Sequence, residues 1–200
     1  MQDKTFEEIL KTSLVEERLN LIKEHSMTTY EHSLNVGHIC YEMYPYIENP
    51  VMTREELTVG ALLHDYGKLI LPVELLENKS EINHFEYLFI RWHPEIGYRS
   101  LMNDFNEKIL EIIYAHHEKL DGAGYPRKLK GKDISKEVRL VTVVDIYEAL
   151  RANRCYSAPK TYEDTLKILN KGVKENKLDA DAVNALKKWH KENKIRGNCA

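Results

Sequence analysis

Histidines and acids stand inside stretches of this chain that are otherwise apolar, and any chemistry has to start from them. GALLHDYGKLIL sets His64, Asp65 and Lys68 in a nearly continuous apolar run, and LVTVVDIYEAL does the same to Asp145. His93 lies between Trp92 and Pro94, and the pair His116–His117 closes the apolar stretch ILEIIYA. An unpartnered buried carboxylate is costly, so Asp145 needs a cation, a donor or a metal. Imidazole and carboxylate together form a ligand set for iron, manganese or zinc. With His32 the candidates number seven, more than one tetrahedral zinc takes, and the surplus favours two metals. Asp65 can join the two through its two oxygens. Adjacent helical residues point about 100° apart, so the members of His64–Asp65 and His116–His117 can serve different sides of such a centre.

Each residue also has a plainer use. A single buried histidine is commonly a hydrogen-bonded core residue, Asp65 and Lys68 can form an ordinary i,i+3 ion pair, and Asp145 can cap a backbone or pair with an arginine. His25, His38, His84 and His190 sit among polar neighbours or lack a matching acid, and are assigned no site role. Periodicity alone does not bring the other residues together in space.

The elements that must position them read as helices throughout. Thr5 with Glu8 opens a first helix through Ile9, Leu14 and Leu19. A second runs from about Thr28, ending near Pro45 and the turn at Asn49–Pro50. Thr53 with Glu56 caps a helix leading to His64, Pro72 starts a short one, and Asn83 with Glu86 caps the helix that carries Phe85, Leu88, Ile90 and Trp92. Pro94 is expected to break or kink that helix directly after His93. Asp121–Lys132, with its glycines and proline, is a loop. Ser135 precedes VRLVTVVDIYEAL, for which a β-strand is the rival because valines favour strands. Thr161 with Asp164 opens a further helix, and the last spans about Ala180–Lys191. The expected architecture is one all-α domain, a single helical bundle.

Composition excludes several function classes. At 200 residues and 42% hydrophobic content the chain suits one core, and a net charge of −3 gives no general attraction to nucleic acid or anionic membranes. Lys128, Lys130 and Lys132 are the crowded basic residues, in keeping with a solvated loop. Cys40, Cys155 and Cys199 show neither CxxC nor zinc spacing, which points to a reducing, cytoplasmic setting, with Cys40 in the core. MQDKTFEEIL is no secretory signal, and no apolar run approaches the roughly 20 residues of a membrane span. No membrane or polynucleotide partner is expected.

HDYGK at His64–Lys68, HPEIG at His93–Gly97 and above all HHEKLDGAGYP at His116–Pro126 resemble the HD-GYP family, a branch of the HD phosphohydrolases. EHSLNV supplies the first histidine, and VVDIYEALRANRCY continues the likeness, which covers roughly Thr28 to Trp189. It divides the chain into an N-terminal helix (1–27), a family core (28–190) and a tail (191–200). The resemblance implies an all-helical HD-like domain with a metal centre, usually of iron or manganese. The implied ligands are His32, His64, Asp65, His93, His116, His117 and Asp145, with Asp65 bridging. Lys68, Tyr125 and Arg154 match positions that contact substrate phosphates. Members with a third metal carry a glutamate where Thr28 stands here, and Glu31 lies on another helical face, so two metals are expected. Ser157 replaces a residue that is often basic, which removes one phosphate contact. Glu148 stands where aspartate is common.

The implied activity is hydrolysis of a cyclic dinucleotide, cyclic di-GMP first, by attack of a metal-activated hydroxide on phosphorus. Asp65 and Lys68 are the expected catalytic residues, Lys68 either steadying phosphate or protonating the leaving oxygen. Glu118 and Asp121 are expected to fasten the GYP loop. A regulatory protein partner in trans is expected, because no receiver or sensory domain is fused to the motif. The alternatives are another HD-type nucleotide phosphohydrolase, a mixed-valent di-iron oxygenase, and a non-enzymatic cyclic-dinucleotide binding module. All seven ligand positions are kept, which disfavours the module, and an oxygenase has no use for the GYP loop.

Overall fold

The computed structural model describes residues 3–77, 83–152 and 158–197, and every regular element among them is helical. The chain opens with α1 (Phe6–Leu10) and α2 (Ser13–His25), then α3 (Met27–Met43) and α4 (Arg54–Leu63). Short α5 (Val73–Leu76) and α6 (His84–Ile90) lead to α7 (His93–Leu101) and α8 (Glu107–Ala115). The long α9 (Lys136–Arg151), α10 (Tyr162–Lys174) and α11 (Ala180–Gly197) complete the fold. The capping boxes expected at Thr5–Glu8, Thr53–Glu56 and Asn83–Glu86 are all formed.

Four helices make the frame: α3 packs on α4, α4 on α8, α8 on α9, and α9 returns to α3. On one side of this ring Val36 and Cys40 meet Val141 and Val144 of α9 and Val183 and Leu186 of α11. On the other, Val15, Leu19 and Ile22 of α2 bury against Leu62, Leu63, Leu110 and Ile113. The valine-rich segment expected as helix or strand is α9; it needs helical periodicity because its apolar residues cover a wide face rather than alternating.

Three boundaries differ from the sequence expectation. The N-terminal stretch is two helices, separated at Lys11–Thr12. Ile9 and Val15 are six residues apart, out of phase on a continuous helix, and the break lets both enter the same apolar cluster. Pro94 does not end the helix of Trp92: α6 already stops at Ile90, and Pro94 lies in the first turn of α7, where its missing N–H costs no helical bond. The last helix runs on to Gly197. No helix among the described residues is long and apolar enough to cross a membrane.

Candidate metal centre

Helix ends orient three of the histidines. An α-helix leaves its last four carbonyls without intrahelical partners, and His64, His93 and His116 each follow such an end. Their Nδ1 atoms lie 2.7 Å from Ala61 O, 2.7 Å from Ile90 O and 2.9 Å from Ile113 O. A carbonyl only accepts, so each Nδ1 carries the proton and each Nε2 lone pair points inward. His32 lies in the middle of α3, where the backbone carbonyls are engaged in helical bonds. There Glu148 of α9 accepts the Nδ1–H instead, and Asn35 Nδ2 donates to the other Glu148 oxygen at 2.9 Å.

Asp65 follows α4 directly and stands between two sets of rings. Its Oδ2 is 3.4 Å from His64 Nε2 and 3.7 Å from His32 Nε2. Its Oδ1 is 3.3 Å from His93 Nε2 and 4.0 Å from His116 Nε2. Asp145, from α9, spans the same divide, with Oδ1 3.1 Å from His32 Nε2 and Oδ2 3.9 Å from His117 Nδ1. Two groups of ligand atoms close enough to hold an ion result, His32–His64–Asp65 and Asp65–His93–His116–His117, with Asp65 common to both.

Two glycines bring α7 to this point. A Cβ on Gly67 would fall 1.9 Å from the carbonyl oxygen of His93 and 2.6 Å from Gly97 N. The turn after Asp65 and the start of α7 therefore meet backbone to backbone, which delivers His93 to Asp65 Oδ1.

The charges divide along the same line. Burial holds the His93 imidazolium down to about 4 and pushes His116 and His117 well below their usual value, with neighbouring imidazoles adding to it. His32 is equally buried, yet hydrogen bonds to Asp145 and Glu148 outweigh burial and raise it to about 9. Burial would raise Asp65, but the Lys68 ammonium and the His64 and His93 imidazoles hold it well below the carboxylate range. His32 and His64 do the same for Asp145.

These residues fit metal ions. His64 Nε2 and Asp65 Oδ1 are buried without a hydrogen-bond partner. His93 Nε2 and His116 Nε2 lie 3.1 Å apart although neither bears the ring proton, so two lone pairs face each other. A cation among these atoms relieves both defects at once, and mixed imidazole–carboxylate donors suit first-row divalent ions.

The remaining sequence candidates fall around this cluster. Lys68 Nζ is 2.6 Å from Asp65 Oδ2, the plain i,i+3 pair. Tyr125 leans on His117 with ring centroids 4.8 Å apart, and Gly124 before it passes so close to Glu118 that a Cβ would meet Glu118 Cα at 2.5 Å. Glu118 fastens the loop by accepting from Arg127 N and Leu129 N, and Asp121 does so by accepting from Ala123 N. Arg154 lies outside the described residues, as do Cys155 and Ser157. His25, His38, His84 and His190 stay outside the cluster: His25 reaches Leu71 O, His38 packs on Phe6 and His190 stacks on Tyr162. Sequence reasoning missed Glu148 as the group that orients His32, and Asn35 behind it. Asn35 is one helical turn from His32, the spacing at which both can reach one acid.

A helical ring closed at one end by a buried histidine–aspartate cluster defines a narrow class of proteins. A family model for the HD domain matches residues 13–182, and the chain belongs to that family. Among curated proteins it is similar to the 3'3'-cGAMP-specific phosphodiesterase 1 of Vibrio cholerae, 29% identical over 181 residues, covering 90% of this chain and 42% of that protein. A cyclic di-GMP phosphodiesterase of Thermotoga maritima is 31% identical over 181 residues, 88% of this chain and 49% of its own length. The chain thus spans half or less of these relatives. Among solved structures, the Bdellovibrio bacteriovorus HDG"Y"P protein Bd1817 superposes with a TM-score of 0.64 at 23% identity, covering 80% of this chain and 51% of Bd1817. The PgpH HD domain of L. monocytogenes, in complex with cyclic-di-AMP, gives 0.62 at 20% identity, covering 90% and 96%. At these identities the two structures establish a shared fold.

Proposed function

We propose that the chain is a metal-dependent phosphodiesterase that hydrolyses a cyclic dinucleotide, cyclic di-GMP first, at a centre of two iron or manganese ions. One observation carries the reading: a single carboxylate, Asp65, turns one oxygen to His32 and His64 and the other to His93 and His116. His117 and Asp145 complete the ligand set. Curated relatives named for cyclic di-GMP and 3'3'-cGAMP cleavage support the substrate class, and the HHEKLDGAGYP motif supports the same branch of the family.

When bound, two such ions neutralise charge on a phosphoryl group and make water a stronger nucleophile near neutral pH. The chain's own residues do the rest. The three helix-end histidines arrive with their lone pairs preset by backbone carbonyls, and burial keeps His93 and His116 neutral, so little reorganisation is required. Lys68, half-buried on the rim of the cluster, is placed to turn from Asp65 to an incoming phosphate oxygen as a point charge. Tyr125, held against His117 by the Glu118-anchored loop, sets its ring next to the cluster, and its hydroxyl is the group assigned to phosphate. Burial pushes the pKa of that hydroxyl up, so it keeps a proton to donate to a phosphate oxygen. Arg154 is assigned to phosphate on its motif position. A cytoplasmic location accords with cysteines that show no pairing pattern.

The test is metal analysis and turnover on protein purified without oxygen, with cyclic di-GMP, 3'3'-cGAMP and simple nucleotides supplied in parallel. Two metals per chain with diester cleavage is the expected result, and Asp65→Ala should lose both. A metal-loaded chain that leaves every cyclic dinucleotide intact would overturn the substrate assignment, and a chain that takes up no metal on reconstitution would overturn the whole reading.

A further inference from the structure

Arg91 is the C-terminal cap of α6 and stands two residues before His93. Its guanidinium lies over the Tyr125 ring at 4.4 Å from the centroid and over the Tyr87 ring at 5.8 Å. Tyr125 in turn rests on His117. A continuous stack thus runs outward from the metal cluster: His117, Tyr125, Arg91, Tyr87. Arg91 is the cation in it, and among the described residues its guanidinium has no carboxylate within ion-pair distance and no hydrogen-bond acceptor.

Arg54 is held in a comparable way, between Tyr41 and Tyr44, but far from the metal cluster; the stack of Arg91 leads to it. Two other arginines are fixed by acceptors: Arg18 grips Asp104, and Arg139 binds Asp179 with two backbone carbonyls. Arg91 is held by its faces alone. Cation–π contact fixes the plane of the guanidinium and leaves its N–H edge free. A planar fork with a free edge matches a pair of phosphate oxygens, and a charge-assisted pair of this kind is about twice as strong as a neutral hydrogen bond. That free edge is available to an anion from outside the chain, on the side where Tyr125 meets the cluster.

We propose that Arg91 binds the second phosphodiester of the cyclic dinucleotide, the one not being cut, and so sets the register of the ring over the metals. A cyclic dinucleotide carries two phosphates joined through two sugars. With one at the cluster, the other must lie beside it, along a stack that leads outward. The inference rests on the function proposed above and adds to it a residue that separates two-phosphate substrates from one-phosphate substrates.

The test compares two substrates on Arg91→Ala: cyclic di-GMP, with two phosphates, and bis(p-nitrophenyl) phosphate, with one. The expected result is a rise in KM for cyclic di-GMP of about 10–100-fold, the range for losing a charge-assisted pair, with kcat within threefold on the order of assay scatter. Metal content and the rate on bis(p-nitrophenyl) phosphate stay at wild-type level. Arg91→Lys should not restore KM, because an ammonium neither stacks as a plane nor forks. Arg91→Met keeps the aliphatic stem between the rings and removes the charge, so it decides the matter where the alanine variant folds poorly. An unchanged KM for cyclic di-GMP in the alanine or methionine variant overturns this inference alone. Equal loss of both substrates in both variants also overturns it, by making the role structural. A wild-type chain that cleaves bis(p-nitrophenyl) phosphate and neither binds nor cleaves any cyclic dinucleotide overturns the substrate reading, and this inference with it.

Discussion

The cluster has two faces that solve one problem differently. On the helix-end face, His64, His93 and His116 take their orientation from carbonyls that α4, α6 and α8 leave unpaired. On the mid-helix face, His32 of α3 and Asp145 of α9 have no free backbone to use, and a side chain, Glu148, supplies the acceptor. The consequence is electrostatic. A carbonyl brings no charge, and desolvation keeps His93 and His116 neutral. A carboxylate brings a full charge, and His32 is held as an imidazolium between Glu148 and Asp145. Backbone orientation gives rings ready to bind, whereas carboxylate orientation gives a ring with raised basicity that must release a proton on metallation.

Asp65 is where the faces meet, so its loss should break both. Asp65→Ala is expected to abolish metal uptake and turnover together, measured by metal analysis and cyclic di-GMP hydrolysis. On the proposed two-metal reading, His116→Ala should break only the Asp65–His93–His116–His117 group: metal content falls from two ions per chain toward one, turnover is lost, and the ion of His32, His64 and Asp65 stays bound. Loss of both ions in His116→Ala would show that the two groups do not bind independently.

The helix-end face also depends on backbone contact, and Gly67→Ala tests that. The added Cβ would lie 1.9 Å from His93 O, a position that backbone has to vacate. Overpacking of this kind costs roughly 1–3 kcal/mol, so Tm should fall by several degrees, with roughly 2–4 °C per kcal/mol expected at this size. Displacing α7 pulls His93 away from Asp65 Oδ1, so the affinity for one ion should weaken while the His32 face keeps its own. A variant with unaltered Tm and metal affinity would refute the close approach.

How much of this could be read beforehand follows the same division. Capping boxes, helix order and the loop of Asp121–Lys132 were legible because they rest on residues near in sequence. The candidates His32, His64, Asp65, His93, His116, His117 and Asp145 stood out as polar groups in apolar runs or as motif matches, and the fold brings them together. Orientation was not legible. That His93 begins α7 rather than ending α6 depends on where α6 stops, and Pro94 is compatible with both. Glu148 accepts from His32 across 116 positions, and the contact of Gly67 with His93 crosses from one helix end to another. Neither leaves a local signature beyond an acid or a glycine. The position of Arg91 between two tyrosines likewise exists only once α6 and the GYP loop are folded against each other.

The mid-helix face should answer to smaller changes, because its support consists of side chains. Glu148→Gln keeps the shape and removes the charge, and the loss of such an orienting group typically costs 10–100-fold in metal affinity. The loss should fall on the ion of His32 and leave the Asp65–His93–His116 side unchanged, seen as one weakened step in a two-step metal titration. Two weakened steps would mean that the faces are coupled through Asp65 or Asp145 rather than separately built.

Asn35→Ala probes the outermost link of that support. Asn35 Nδ2 holds the Glu148 oxygen that His32 does not use, at 2.9 Å, and it touches no ligand itself. Without it Glu148 keeps its charge and its bond to His32 but loses one of the contacts that fix its rotamer. A hydrogen bond to a charged group contributes about 1.5–3 kcal/mol at most, and water can replace much of it at this half-buried position. The remaining effect, about 1 kcal/mol, is roughly fivefold in the affinity of the same weakened step. Combined with Glu148→Gln it should add almost nothing, since two residues acting through one contact are not additive. If the double variant instead shows the product of the two single losses, Asn35 acts on the centre by another route, and the mid-helix face is not the single chain from Asn35 through Glu148 to His32.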